Sequence, residues 1–173
     1  MYNLPMSNFT TTTGDQLVNA LHALGVNFIM GGNGLDESLH THPVRLISEL
    51  AQSDEARLRL SLIPLFLEYP QYAAYVRTAA RKLEPASLLT LRCYYTAAVF
   101  LAKKYQLTGV SLSDLFSADL GLNLVDDSIE NLRLLAKRHK QLSGSYVNWL
   151  ATYQHAEDVW QKGLEYRKRV TLG

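Results

Sequence analysis

Arg133 and His139 are the residues of this chain whose types come nearest to a reaction centre. An imidazole can take and return a proton near neutral pH, and a guanidinium can hold the charge that develops on a phosphate. The two sit in the stretch Arg133-Leu-Leu-Ala-Lys-Arg138-His139, which reads as helical. Six positions on a straight α-helix turn through about 120°, so the helix must end or bend before both side chains can act on one bond. A basic last turn containing a histidine also forms without any catalytic purpose, because it complements the helix dipole.

Other groupings offer less chemistry. His40-Thr41-His42, with Asp36 and Glu37 nearby, puts two imidazoles on one side of an extended segment, as a zinc chelate needs. A third or fourth ligand with suggestive spacing is missing, so these are expected to be polar loop residues before a proline-started helix, with no metal. Glu157 and Asp158 are adjacent on a helix and point in different directions, which does not suit paired acid–base work. Spacing supports no nucleophile with its base and no phosphate-cradling loop, and no cofactor is expected.

The arginine, five intervening residues and histidine, late in an all-helical chain of this size, resemble the motif of HEPN-family ribonucleases. The resemblance implies metal-independent RNA cleavage at a site completed across a dimer. His139 would be general acid or base on the 2′-hydroxyl and Arg133 would stabilise the scissile phosphate. Leu134 stands where that family usually carries a polar residue. The segment from Gly25 to Gly34 resembles the strand-and-glycine opening of small bacterial nucleotidyltransferases. Asp36 and Glu37 are adjacent, however, and do not form the Asp-x-Asp that such enzymes need for magnesium, so that activity is set aside.

Tyr146, Trp149, Tyr153 and Trp160 are spaced by three, four and seven residues, which places four rings on one stripe of a last helix read as starting near Ser145. Such a stripe packs as core against the Tyr94-Tyr95 helix. Any exposed part of it anchors a partner, because tryptophan and tyrosine dominate interface hot spots. Lys162, Arg167, Lys168 and Arg169 follow as the one basic cluster, suited to a helix C-terminus or to phosphates, with stacked bases on the rings as a further alternative.

The elements that must position these residues are helical almost throughout. After a loose arm over residues 1–12, Leu17, Val18, Leu21 and Leu24 repeat at helical spacing and Gly25 stops them. Residues 26–30 alternate as a short strand would, without an obvious second strand, and Gly31-Gly32-Asn33-Gly34 follows as a loop. Pro43, Pro70 and Pro85 each open a helix. Ser53 and Asp54 are placed to cap a helix running to Tyr69, with a kink at Pro64. Asp126-Asp127 begin and Ser143-Gly144 end the helix that carries Arg133 and His139. The phrase SELAQSDEARLRLSLIPLFL resembles a HEAT-type helical pair. Two pairs are too few for a free-standing solenoid, so the expected fold is a compact all-α bundle of six to eight helices forming one domain over 13–173.

Composition agrees with that. The chain has 173 residues, 47% hydrophobic and 19% charged, enough for a core without staples. Its single cysteine, Cys93, excludes an intramolecular disulfide and fits a reducing, cytoplasmic setting. A net charge of +1 gives no global pull toward nucleic acid or membrane, and no stretch is apolar for long enough to span one. The functional expectation is a non-enzymatic interaction protein, an accessory or regulatory subunit that binds a protein partner through its last helix. The alternatives are the ribonuclease and a nucleic-acid binder using the basic cluster.

Overall fold

The computed structural model describes residues 12–26, 38–109 and 112–173. Most of the expected N-terminal arm, residues 27–30 of the expected strand, the glycine loop, Asp36 and Glu37 lie outside them. The described residues form eight α-helical segments and no strand. They are α1 (Gly14–Ala23), α2 (Pro43–Ala51), α3 (Ala56–Leu60), α4 (Leu62–Glu68), α5 (Ala73–Ala80), α6 (Pro85–Lys104), α7 (Ser128–Ser143) and α8 (Trp149–Thr171). Short 3-10 turns precede α2 and α5. This is the all-α bundle the periodicity predicts.

Local chemistry explains the helix ends. Thr13 accepts from the Gln16 amide at 3.2 Å while the Gln16 side chain accepts from the Thr13 amide at 2.8 Å, a reciprocal cap on α1. Asp127 caps α7 by accepting from the amides of Ile129 and Glu130 at 2.9 and 3.3 Å. Gly144, at φ 64°, supplies the left-handed residue that closes α7.

Two boundaries differ from those expected. The helix through Pro64 is interrupted one turn before the proline: α3 ends at Leu60 and α4 starts at Leu62, while Ser61 between them stays right-handed helical and its carbonyl still accepts from the Leu65 amide at 3.0 Å. Proline has no N–H to offer the Leu60 carbonyl and its ring crowds that carbonyl, so the break falls about one turn before Pro64. Ser53 and Asp54 do not cap α3; Glu55 takes the cap position and contributes no side-chain bond. The Ser53 hydroxyl instead accepts from the Glu55 amide, and its carbonyl accepts from Arg59 Nη1 at 2.7 Å.

α6 is the axis of the bundle. From Leu91 to Ala102 only Arg92 reaches beyond burial, because the run Leu91-Arg-Cys-Tyr-Tyr-Thr-Ala-Ala-Val-Phe-Leu-Ala is apolar nearly all round. It packs against α2, α4, α7 and α8, while α2 also packs against α5. In a solenoid each repeat would touch only its neighbours, so the HEAT-like middle belongs to a compact bundle and not to a stack. One hydrophobic cluster draws in residues from Leu17 to Trp160. No helix among the described residues is long and apolar enough to cross a membrane.

Candidate functional site

The rings of α7 and α8 meet over α6. His139, on α7, lies against Trp149 at the start of α8, with centroids 3.6 Å apart and planes 15° from parallel. Its Nδ1 is 2.7 Å from the Tyr153 hydroxyl, one turn further along α8. From α6, Tyr94 meets His139, Trp149 and Tyr153 edge-on, and the Cys93 thiol lies beside Tyr153.

Burial sets the protonation of this cluster. It lowers the His139 imidazole to about 4 and pushes the Cys93 thiol up to about 12. It also raises Tyr94 to about 12, partly offset by the Arg59 guanidinium, and holds Tyr153 well above the usual phenol range. His139 is therefore neutral at pH 7, and Cys93 is an inert thiol in the core.

Arg133 and His139 are not brought together. Arg133 stands in solvent, paired with Glu130 at 3.1 Å, whereas His139 is only 2% exposed. α7 runs regularly through both positions, so the 120° separation persists and sends one outward and the other inward.

The aromatic stripe is divided. Tyr153 and Trp160 are core residues, and the Trp160 indole donates to Glu68 Oε1 at 3.1 Å, so neither can meet a partner from this position. Trp149 is half-buried beneath the surface. Tyr146 is not on the helix at all, because Asn148 caps α8 by accepting from the Ala151 amide at 3.0 Å. An asparagine directly before Trp149 was the sequence signal for that start. Tyr146 is 99% exposed. Its connection is ordered in steps: the Ser143 hydroxyl accepts from the Ser145 amide and the Ser145 hydroxyl from the Val147 amide, each at 3.2 Å.

A groove runs on either side of Trp149. A cavity of about 510 Å³ lies between the end of α2, the start of α6 and the end of α7, and reaches His139 and Leu142. A second, of about 530 Å³, lies between α3 and the first turns of α8, bordered by Arg57, Val147 and His155. Arg59, Tyr94 and Trp149 line both. Leu142 and Val147 leave apolar surface exposed at the two ends, with Tyr146 between them in sequence. Spacing could not have disclosed this groove, since its walls come from helices far apart along the chain.

The basic cluster is partly engaged. Arg167 pairs with Glu68, its Nη1 lying 3.1 Å from Oε2, while Lys162, Lys168 and Arg169 are exposed on the far part of α8. His40 lies in the 3-10 turn Ser38–Thr41, and His42 Nδ1 is 3.1 Å from the Thr41 hydroxyl. Among the described residues no three His, Cys, Asp or Glu side chains gather as a metal site would require.

Comparison with known proteins finds no matching family model, no matching curated protein and no matching solved structure.

Proposed function

We propose that this protein works without catalysis, as an accessory or regulatory subunit that binds a protein partner across the groove around Trp149. The observation that carries the reading is Tyr146: a fully exposed aromatic side chain on a connection ordered by its own hydrogen bonds. An exposed tyrosine offers a large apolar body with a polar tip at low entropic cost, which is why tyrosines concentrate in binding hot spots. Leu142 and Val147 extend the apolar edge to both sides, and the groove gives a partner side chain somewhere to enter.

The contact surface this assigns is the α7–α8 connection with Trp149, and not the whole stripe from Tyr146 to Trp160. The ribonuclease reading draws no support from the positions of Arg133 and His139. Nucleic-acid binding through Lys162, Lys168 and Arg169 is the outcome the test must separate.

The test is affinity capture from native extract, with and without nuclease, using the wild-type chain and Tyr146→Ala. A stoichiometric protein that survives nuclease and is lost or at least tenfold depleted with the variant is the expected result. Capture of nucleic acid alone, or of a protein indifferent to Tyr146, contradicts the reading.

A further inference from the structure

The wall that the two cavities share, Arg59, Tyr94 and Trp149, has an imbalance in its hydrogen bonding. Arg59 is half-buried, and its only hydrogen bond among the described residues is the one to the Ser53 carbonyl. None of the ion pairs among the described residues includes it. A guanidinium presents five N–H donors in a fork, so the donors that Ser53 does not use face solvent and are open to a ligand. The Trp149 indole N–H is buried without an acceptor. Buried donors in native proteins nearly always have partners, and an orphan calls for an explanation. Tyr94, whose hydroxyl feels the Arg59 charge, makes no hydrogen bond to a described residue.

Among the described residues no carboxylate supplies an acceptor to Arg59. Glu55, the nearest acid in sequence to this wall, is paired with Arg57 at 2.7 Å. Asp54 borders the first cavity and not the second. The second cavity is thus lined by Arg57, Arg59 and His155 with no acidic residue, while Leu60, Val147 and Ala151 give it an apolar wall.

We propose that the second cavity receives a carboxylate of the partner, an aspartate or glutamate side chain carried next to an apolar residue, with Arg59 as its anchor, the Tyr94 hydroxyl as a further donor and the Trp149 ring as the wall beside it. The inference rests on the protein-binding reading and names the chemistry of what is bound. A carboxylate matches a guanidinium in planar, two-pronged geometry. A phosphate dianion is better matched by two or more cations, and of the two arginines here Arg57 is already paired with Glu55. The neighbouring apolar side chain would lie against Val147 and Leu60.

The protein has two tryptophans, so its indole N–H resonances can be followed one by one, with Trp160→Phe assigning them. The probe is the peptide acetyl-Leu-Glu-Leu-amide, titrated in parallel with acetyl-Leu-Gln-Leu-amide and with inorganic phosphate. The expected result is a saturable shift of the Trp149 resonance, with Trp160 held still by Glu68. The glutamine peptide should bind roughly tenfold more weakly or worse, the scale of one charge-assisted hydrogen bond. Arg59→Gln should erase the difference between the peptides, and Arg57→Gln should keep it. Equal binding of the two peptides, no shift at all, or an equal shift with phosphate overturns the proposal. Should Arg59→Gln fail to fold, the peptide comparison on the wild-type chain still decides. A partner captured through Tyr146 but indifferent to Arg59→Gln would refute the carboxylate and leave the protein-binding reading standing; loss of the Tyr146 dependence would refute that reading instead.

Discussion

His139 lies flat on Trp149, 3.6 Å between ring centroids, and this contact ties the last turns of α7 to the first turn of α8. The connection between the two helices then has little freedom left, and the floor of the groove is set before anything enters it. Under the proposed function, a partner meeting this surface would avoid the ordering cost that a mobile loop would meet on binding.

The same contact makes the fold sensitive to acid. His139 titrates near 4 in the folded chain and at about 6.5 when unfolded, so between those values the unfolded chain takes up a proton that the folded one refuses. Stability from this group is complete above pH 6.5, falls as pH drops toward 4, and changes little below that. The full loss is on the order of 3 kcal/mol. Urea unfolding at pH 7 and pH 4.5 measures it, and His139→Asn, which cannot titrate, should flatten that part of the profile. An unchanged profile in the variant would mean that other groups carry the acid sensitivity.

Glu68 joins α4 to the far part of α8, accepting from the Trp160 indole and from Arg167. Glu68→Ala removes both bonds and leaves a buried indole N–H without its acceptor. The expected cost is about 1–2 kcal/mol, with faster amide hydrogen exchange confined to residues beyond Trp160. Uniformly faster exchange along α8 would show that the helix is held elsewhere.

Glu157 is buried between α6 and α8, where it accepts from Lys104 and from the Tyr105 hydroxyl. Lys104→Ala should destabilise the protein by roughly 2 kcal/mol, because it strands a carboxylate away from water, although the partial exposure of Lys104 keeps the loss below that of a fully buried pair. The double variant Lys104→Met with Glu157→Gln should recover most of it. Chemical denaturation midpoints compare the three chains, and a double variant as weak as the single one would argue against the stranded charge.

Much of the scaffold was legible because it depends on local rules. Pro43 and Pro85 mark helix starts, Asp127 and Gly144 bracket α7, and the apolar run around Cys93 forms a helix buried on most sides. What was misread depended on a competing local bond: Asn148 starts α8 three residues after the expected start, which takes Tyr146 off the stripe and into solvent. Arg59, Tyr94 and Trp149 carry no mutual spacing signal, since only the packing of α3, α6 and α8 brings them to one groove. The inward turn of His139 was a matter of phase on α7, which the 120° argument raised and the burial of its face decided.

The most direct test of the central claim places a photocrosslinking amino acid, p-benzoylphenylalanine, at position 146 and irradiates cells that normally contain this protein. The account predicts one predominant protein adduct, resistant to nuclease and absent when the same group replaces Lys140 on α7. A nuclease-sensitive adduct, or no adduct beyond the background at position 140, would contradict it.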